Sequence, residues 1–326
     1  MTPITLAEAV TQAIAYEMTH DDNVIVMGED IAANGGVFRT TVGLLEKFGD
    51  KRVIDTPLAE SMIAGLSIGM ATQGLKPIAE FQFLGFIYAA FDQIISQASR
   101  MRNRTRGRLT CPIVFRAPFG GGIHAPEHHS ESTEALFAHI PGLRVVIPSS
   151  PARAYGLLLA SIRDPDPVLF LEPKRIYRLH KQLVPDSGEA LPLDRCFVLR
   201  EGSDVTLISW GAMIHETLQA ADALSHLGIQ CEVIDVATIS PLDIHTILQS
   251  VEKTKHVVII HEAARTCGVG AEIAAQITEY AFDLLKAPIQ RVTGYDTVMP
   301  YFKNEKRYMP SVARIMDAVD TILECL

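Results

Sequence analysis

The sequence predicts an α/β protein with two domains, each built on a mainly parallel sheet. The chain has 326 residues, whereas single domains mostly run to roughly 100–200 residues, so two hydrophobic cores are expected. Short apolar runs recur and are mostly followed by a helical pattern, which is typical of parallel strands covered by helices on both faces. In the first half these runs occupy residues 24–27, 77–81, 113–115, 145–147 and 168–171.

Two helices are marked by their starting residues. Thr5 and Glu8 form a capping-box pattern at the start of the first helix. Another helix is expected to begin after Ser150, with Pro151 at its first position, where proline needs no amide hydrogen bond. The apolar stripe of the first helix consists of Val10, Ile14 and Met18.

Periodicity is lost between residues 172 and 202, where Lys, Arg, Asp, Pro and Gly prevail. We therefore predict a first domain over residues 1–180, a linker over 181–200 and a second, smaller α/β domain over 201–326. In the second domain, strands are expected at 205–209, 232–236 and 257–260, and a helix at 215–227 that Gly228 stops.

Charge and hydropathy argue against nucleic-acid and membrane partners. The net charge is −9, which leaves no basic surplus to neutralise phosphates. The densest basic stretch, residues 100–108, has no interleaved aromatic residues and is interpreted as solvated surface or a contact for an acidic partner. No apolar run approaches the roughly 20 residues that cross a bilayer, so neither export nor membrane insertion is expected.

The cysteines indicate a reducing compartment. There are five, an odd number, and none forms a CxxC pair. This pattern argues against a disulfide framework or a zinc site and favours a cytoplasmic location. The cysteines are Cys111, Cys196, Cys231, Cys267 and Cys325.

Two glycine motifs match familiar patterns in the wrong context. Gly65-Leu-Ser67-Ile-Gly69 matches the GxSxG nucleophile elbow of hydrolases, but small residues over 59–74 favour a tightly packed helix. Gly268-Val-Gly270 lacks the third glycine of a dinucleotide fingerprint and is interpreted as a tight turn.

The most unusual string is Gly120-Gly121-Gly122, which is followed by His124, His128 and His129. Metal binding that includes Glu127, a surface loop and a catalytic role are all compatible with it. The absence of a zinc signature favours a loop that places one or two histidines near a substrate carboxylate, since histidine supplies charge and protons near neutral pH.

Glu60 is a further candidate, at the start of the small-residue helix and among mostly apolar neighbours. It fits a first-turn acid favoured by the helix dipole. It also fits a carboxyl group whose proton affinity is raised by burial and that exchanges a proton with a bound heterocycle. Composition alone does not decide between these two interpretations of Glu60.

Longer strings resemble the transketolase-type pyrimidine-binding module, and more narrowly the β subunit of the decarboxylating component of 2-oxoacid dehydrogenases. The resemblance runs the whole length of the chain. In the first domain it rests on Val26-Met-Gly-Glu29-Asp30, Gly36-Val-Phe-Arg39, Asp55-Thr-Pro-Leu-Ala-Glu60-Ser and Phe91-Asp-Gln93-Ile. Further along it rests on Arg116-Ala-Pro-Phe-Gly-Gly-Gly-Ile-His124, Pro141-Gly-Leu-Arg-Val-Val-Ile-Pro148 and Thr238-Ile-Ser-Pro-Leu-Asp243.

The resemblance implies a role for individual residues. The glutamate at the position of Glu60 hydrogen-bonds a ring nitrogen of the aminopyrimidine of thiamine diphosphate, and so promotes removal of the thiazolium proton. Glu29 would support Glu60, and Phe86 would pack on the aminopyrimidine. His129 would face the substrate and the incoming lipoyl group, with His124 a further candidate for the same pocket.

The family also carries a structural potassium ion on this subunit. The matching positions are Ile113, Ser161, Ile162, Asp164 and Asp166. Two carboxylates and backbone carbonyls suit a hard cation, although these acids equally fit a loop at a helix end.

A missing motif implies a partner chain. Thiamine enzymes hold the diphosphate through magnesium bound by a Gly-Asp-Gly segment, and the sequence contains no Gly-Asp-Gly. The resemblance therefore implies that an α subunit supplies magnesium and the diphosphate half, in an α2β2 heterotetramer whose second β domain contacts the lipoyl acyltransferase core. Full-length transketolase and deoxyxylulose-phosphate synthase carry both halves in one chain and are excluded.

Pyruvate is the expected substrate, since the strings around Phe86 and Phe119 look closest to pyruvate dehydrogenase β subunits. Pocket differences of one methylene or hydroxyl shift preference by only about 1–3 kcal/mol, so branched-chain 2-oxoacid or acetoin use stays open. A serine hydrolase acting through Ser67 and a non-catalytic assembly subunit are the remaining alternatives.

Overall fold

The computed structural model describes residues 2–324, and the chain divides into two compact units. The first unit comprises Met1–Phe119 with Leu136–Leu193, and the second comprises Gly120–Ala135 with Asp194–Leu326. The sequence did not predict that the glycine- and histidine-rich segment groups with the second unit. The segment groups with the second unit because two carboxylates from distant parts of the sequence, Glu262 and Glu305, accept hydrogen bonds from it.

The described residues form twelve strands and eleven α-helices in alternation. The strands are β1 (Val24–Gly28), β2 (Val53–Asp55), β3 (Lys76–Glu80), β4 (Val114–Phe119), β5 (Arg144–Val146), β6 (Val168–Pro173), β7 (Phe197–Arg200), β8 (Val205–Ser209), β9 (Cys231–Asp235), β10 (Thr238–Ser240), β11 (Val257–His261) and β12 (Gln290–Thr293). The helices are α1 (Leu6–His20), α2 (Leu44–Phe48), α3 (Glu60–Thr72), α4 (Met101–Arg104), α5 (Glu134–Ala138), α6 (Pro151–Arg163), α7 (Met213–His226), α8 (Ile244–Thr254), α9 (Val269–Ala281), α10 (Phe302–Tyr308) and α11 (Val312–Leu323).

The strands of the first unit lie in the order β5-β6-β4-β3-β1-β2, and every neighbouring pair is parallel. β1, β4 and β6 are buried along their whole length, as their continuous apolar runs predict. Thr5 and Glu8 make the predicted capping box at the start of α1, and the Ser150 side chain caps α6, whose first residue is Pro151. The predicted α/β class with parallel strands is confirmed.

The second unit has its own sheet, in the order β12-β11-β8-β9-β7. Its central strands and α7 coincide closely with the sequence prediction. β7 differs, because it lies within the predicted linker and pairs antiparallel with β9. An edge strand that is only partly buried needs no continuous apolar run, so its sequence gave little signal.

The cysteines within residues 2–324 are all free. Cys111, Cys196 and Cys231 are free and buried, while Cys267 is free and exposed. Cys325 lies outside the described residues. Within the described range, no helix combines the length and the apolar character that crossing a membrane requires.

Candidate active site

Three of the predicted site residues follow the carboxyl ends of neighbouring parallel strands in the first unit. Glu29 comes directly after β1, Glu60 begins the helix after β2, and Phe86 lies in the 3₁₀ helix Leu84–Ala90 after β3. The ends are in register, since Gly28 at the end of β1 pairs with both Asp55 and Glu80. Ligands of α/β proteins bind at this edge of the sheet.

Glu29 and Glu60 interact electrostatically. Glu29 is only 6% exposed, and its Oε1 has no hydrogen-bond partner within residues 2–324. Burial raises the pKa of Glu29, and the negative charges of Glu60 and Asp30 raise it further. Glu60 is half-buried. The geometry therefore offers two neighbouring carboxyl groups, of which Glu29 keeps a proton to higher pH than an ordinary glutamate.

Aromatic side chains pack beside this edge. The ring of Phe86 is half-buried and lies edge-on to Phe83, with 5.4 Å between ring centroids. Phe38 meets Phe83 at 5.5 Å in the same edge-on manner. The helix that Glu60 begins packs against Leu84–Ala90, and the Ser61 hydroxyl donates to the carbonyl of Ala89. The aromatic ring of Phe86 and the carboxyl group of Glu60 thus lie on two helices that contact each other.

A buried ion cluster lies in the same sheet. Arg116 is 1% exposed, and its guanidinium donates to Glu172 Oε1 at 2.6 Å, Glu80 Oε2 at 2.9 Å and Thr40 Oγ1 at 3.1 Å. The Tyr177 hydroxyl donates to Glu172 Oε2 at 2.6 Å. Burial raises the pKa of Glu80 despite the opposing effect of Arg116. Sequence reasoning missed this cluster, although Arg116 and Glu172 directly follow apolar runs and Glu80 lies within one.

The histidine candidates belong to the second unit. His129 ends the short helix Glu127–His129 and is half-buried, and its backbone N–H donates to the Pro126 carbonyl at 3.0 Å. His124 is more exposed, and its Nδ1 lies 2.6 Å from Glu305 Oε2. No group of three or more His, Cys, Asp or Glu side chains suited to a metal ion occurs among residues 2–324, so the structure adds nothing in favour of a histidine metal site.

Buried ionisable groups surround Trp210 in this unit and were not anticipated. Trp210 Nε1 donates to Glu134 Oε1 at 3.2 Å, and its ring stacks on His261 at 5.1 Å. Burial raises the pKa of Glu134 to about 8, and the charge of Glu262 adds to this effect. Burial lowers the pKa of His261 to about 4. Both groups are therefore neutral near pH 7, and their wide sequence separation left no local signal.

The predicted potassium ligands lie around the end of α6. Arg144 donates to Asp164 at 3.1 Å, and Arg102 donates to Asp166 at 2.7 Å. The carbonyl of Ile113 accepts the Val168 N–H at 2.9 Å. A potassium ion at this place would have to compete with these contacts, and its binding stays a prediction.

The remaining positions of that set are the adjacent Ser161 and Ile162. Both are buried in the last turn of α6. The Ser161 carbonyl accepts the Asp164 N–H at 3.4 Å, a long contact that closes the helix end. Asp164 and Asp166 therefore lie in a loop at a helix end, which was the alternative interpretation of these two acids.

Ser67 lies within α3 and is 0% exposed. Its hydroxyl donates to the Ile63 carbonyl at 2.8 Å and contacts Met27 Sδ at 3.3 Å. A nucleophile elbow needs an exposed serine on a strand-to-helix turn, so this geometry contradicts the hydrolase reading.

A fluorophosphonate probe is accordingly expected to leave the purified chain unlabelled at Ser67, as judged by intact mass and peptide mapping. The Ser67→Ala variant serves as the matched control and should give the same result. Labelling that disappears in this variant would restore the hydrolase alternative.

Comparison with known proteins first defines the class. Residues 2–180 match the transketolase pyrimidine-binding domain, and residues 194–315 match the transketolase C-terminal domain. A solved structure described as a split gene transketolase, inactive beta4 tetramer, shares the fold with a TM-score of 0.82 at 22% identity, over 99% of each chain.

Curated relatives then narrow the class. The chain is 46% identical over 324 residues to the pyruvate dehydrogenase E1 component subunit beta of Bacillus subtilis, covering 99% of this chain and 100% of the relative. It is 49% identical over 315 residues to the same subunit of Acholeplasma laidlawii, covering 97% and 96%. The chain therefore belongs to the transketolase-like family of β subunits of the 2-oxoacid dehydrogenase E1 component.

Proposed function

We propose that this chain is the β subunit of a thiamine-diphosphate-dependent pyruvate dehydrogenase, which decarboxylates pyruvate and passes the acyl group to the lipoyl group of an acyltransferase core. The observation that carries the proposal is the carboxyl pair of Glu29 and Glu60 at the carboxyl edge of the sheet, within the residues that match a pyrimidine-binding domain. Relatives at 44–49% identity that are named pyruvate dehydrogenase β subunits support the substrate.

The residues present fit an aminopyrimidine ring. Glu60 would hydrogen-bond a ring nitrogen, and Phe86 would cover the apolar face of the ring. Glu29 would orient Glu60. Because its pKa is raised, the Glu29 carboxyl group can keep its proton and donate a hydrogen bond to the Glu60 carboxylate. When bound, thiamine diphosphate supplies the electron sink for loss of carbon dioxide.

Glu60 would move a proton at its carboxyl group, which is what promotes deprotonation of the cofactor. His129 would face the substrate and the lipoyl group and would supply positive charge or a proton there. Both roles are inferred from residue-by-residue resemblance to the family. The position of Glu60 beside Glu29 gives further support to the role of Glu60.

A second polypeptide is part of the proposal, since the chain contains no Gly-Asp-Gly segment. An α subunit would hold the diphosphate through magnesium in an α2β2 heterotetramer. The proposed compartment is the cytoplasm, whose reducing conditions suit the free cysteines found within residues 2–324.

The purified chain alone, given thiamine diphosphate, magnesium and pyruvate, is expected to release no carbon dioxide above background. Adding the co-purified α subunit should restore decarboxylation, measured as release of labelled carbon dioxide. Activity of the solitary chain would contradict the proposed division of the site between two polypeptides.

The substrate is tested on the reconstituted complex with pyruvate, 3-methyl-2-oxobutanoate and acetoin. We expect the highest kcat/KM for pyruvate. A higher value for either of the other two would instead identify a branched-chain 2-oxoacid or acetoin dehydrogenase, the alternatives that the sequence left open.

A further inference from the structure

The three glycines before His124 meet two buried carboxylates of the second unit. The Gly121 N–H donates to Glu262 Oε2 at 2.9 Å. The Gly122 N–H donates to Glu305 Oε1 at 2.8 Å. Glu262 and Glu305 are 4% and 2% exposed, so both contacts are shielded from water. Charge-assisted hydrogen bonds of this kind are stronger than neutral ones.

Glu305 also holds the histidine that follows. The His124 N–H lies 3.3 Å from both Glu305 oxygens, and the ring Nδ1 donates to Oε2 at 2.6 Å. His124 adopts φ 62°, a left-handed conformation that costs a non-glycine residue free energy and persists where surrounding contacts enforce it. The His124 ring also lies edge-on to Phe302 at 4.3 Å.

A side chain at Gly120 or Gly121 would displace the groups that the loop contacts. A Cβ at Gly120 would lie 2.5 Å from Glu262 Oε1, and a Cβ at Gly121 would lie 2.3 Å from Met299 Cε. The Gly120 N–H donates to the Glu131 carbonyl at 2.8 Å, which closes the segment into a loop that contains His129. Glu262 and Glu305 thus bind the first residues of the loop, and Glu131 at its end accepts a hydrogen bond from Gly120 at its start.

We propose that Glu262 and Glu305 are positioning residues, which clamp the loop 120–131 in one conformation and thereby set where His129 is presented to the substrate. His124 belongs to this clamp. The inference rests on the proposed function in one respect, namely that His129 acts on the substrate. Neither carboxylate needs to touch the substrate or the cofactor.

The first test compares Glu305→Ala with wild type in the reconstituted complex, by hydrogen–deuterium exchange of a peptide that spans residues 119–131. The amides of Gly122 and His124 are expected to exchange at least about tenfold faster, because their common acceptor is gone. Glu252→Gln, at an exposed position of α8, is the control and should exchange at the wild-type rate. Wild-type exchange in Glu305→Ala would overturn the clamp.

Steady-state kinetics give the second readout. Glu305→Ala is expected to lower kcat by about tenfold to a hundredfold, since a misplacement of about 1 Å has effects of this size, and to change the KM for pyruvate by less than about twofold. His124→Asn tolerates the left-handed backbone but loses the ring contact, and should give a smaller loss. Wild-type kcat in both variants would contradict the positioning role.

A glycine pair tests Glu262 without changing it. Gly120 and Gly228 both have φ 86°, but a Cβ at Gly228 would meet no atom within 4 Å. Both alanine variants place a side chain on a backbone with the same positive φ, while only Gly120→Ala pushes against Glu262. The proposal predicts a lower kcat for Gly120→Ala alone, and equal kcat values for the two variants would overturn it.

His129→Ala separates the inference from the function on which it rests. It is expected to lower kcat while leaving amide exchange at residues 121–124 unchanged. Full activity of His129→Ala, together with accelerated exchange in Glu305→Ala, would refute the assigned role of His129 and still support the clamp.

Discussion

Replacement of Arg116 by methionine is expected to lower the free energy of unfolding by about 3–5 kcal/mol, the range seen when one partner of a buried ion pair is removed. The guanidinium is the common donor to Glu80 and Glu172, and without it two carboxylates remain in a buried site. Urea unfolding of the purified chain measures the loss.

The deficit should grow as the pH rises from about 5 to 8. Burial already raises the pKa of Glu80, and removal of the positive charge raises it further. The folded variant then binds more protons than its unfolded chain, so its stability falls with increasing pH. A deficit that shrinks over this range would contradict the explanation.

Arg102→Met is the matched control. Arg102 also pairs with a carboxylate, Asp166, but its side chain is 45% exposed. Exposed ion pairs contribute little to stability, so the unfolding midpoint should stay at the wild-type value. Equal losses in the two variants would show that burial is not what makes the Arg116 cluster important.

Replacement of Glu60 by glutamine is expected to lower kcat for decarboxylation by about 10²–10⁴-fold in the reconstituted complex, the usual range for loss of a positioned proton-transfer group. Glutamine keeps the size of the side chain but cannot exchange the proton. Decarboxylation is measured with labelled pyruvate, and assembly with the α subunit by size-exclusion chromatography.

Glu46→Gln controls for the change of charge, because Glu46 is exposed on α2 of the same unit. It should have wild-type activity. If Glu60→Gln also retained full activity while assembling normally, the chain would instead be a non-catalytic assembly subunit.

The main strands and helix starts were predictable because their signals are local. A continuous apolar run identifies β1 or β8, and Thr5 with Glu8 marks the start of α1. β7 gave no such signal, since a half-exposed edge strand is specified by its pairing with β9. The grouping of residues 120–135 with the second unit likewise depends on contacts between distant parts of the sequence.

In the candidate site, too, some residues have a local sequence signal and others are revealed only by contacts in the folded chain. Glu60 could be singled out from its place in a recognisable string, and its proximity to Glu29 is what three-dimensional structure adds. Glu262 and Glu305 carry no motif, and only the folded chain reveals that they meet Gly121 and Gly122. Three consecutive glycines before a histidine were a visible signal whose partners the sequence alone did not identify.

The most direct test of the account is the rate at which the thiazolium C2 proton of bound thiamine diphosphate exchanges with deuterium in the reconstituted complex, measured by quenched-flow NMR. We expect Glu60→Gln to slow this exchange by at least about 10²-fold while the cofactor stays bound. Exchange at the wild-type rate in that variant would show that Glu60 does not activate the cofactor.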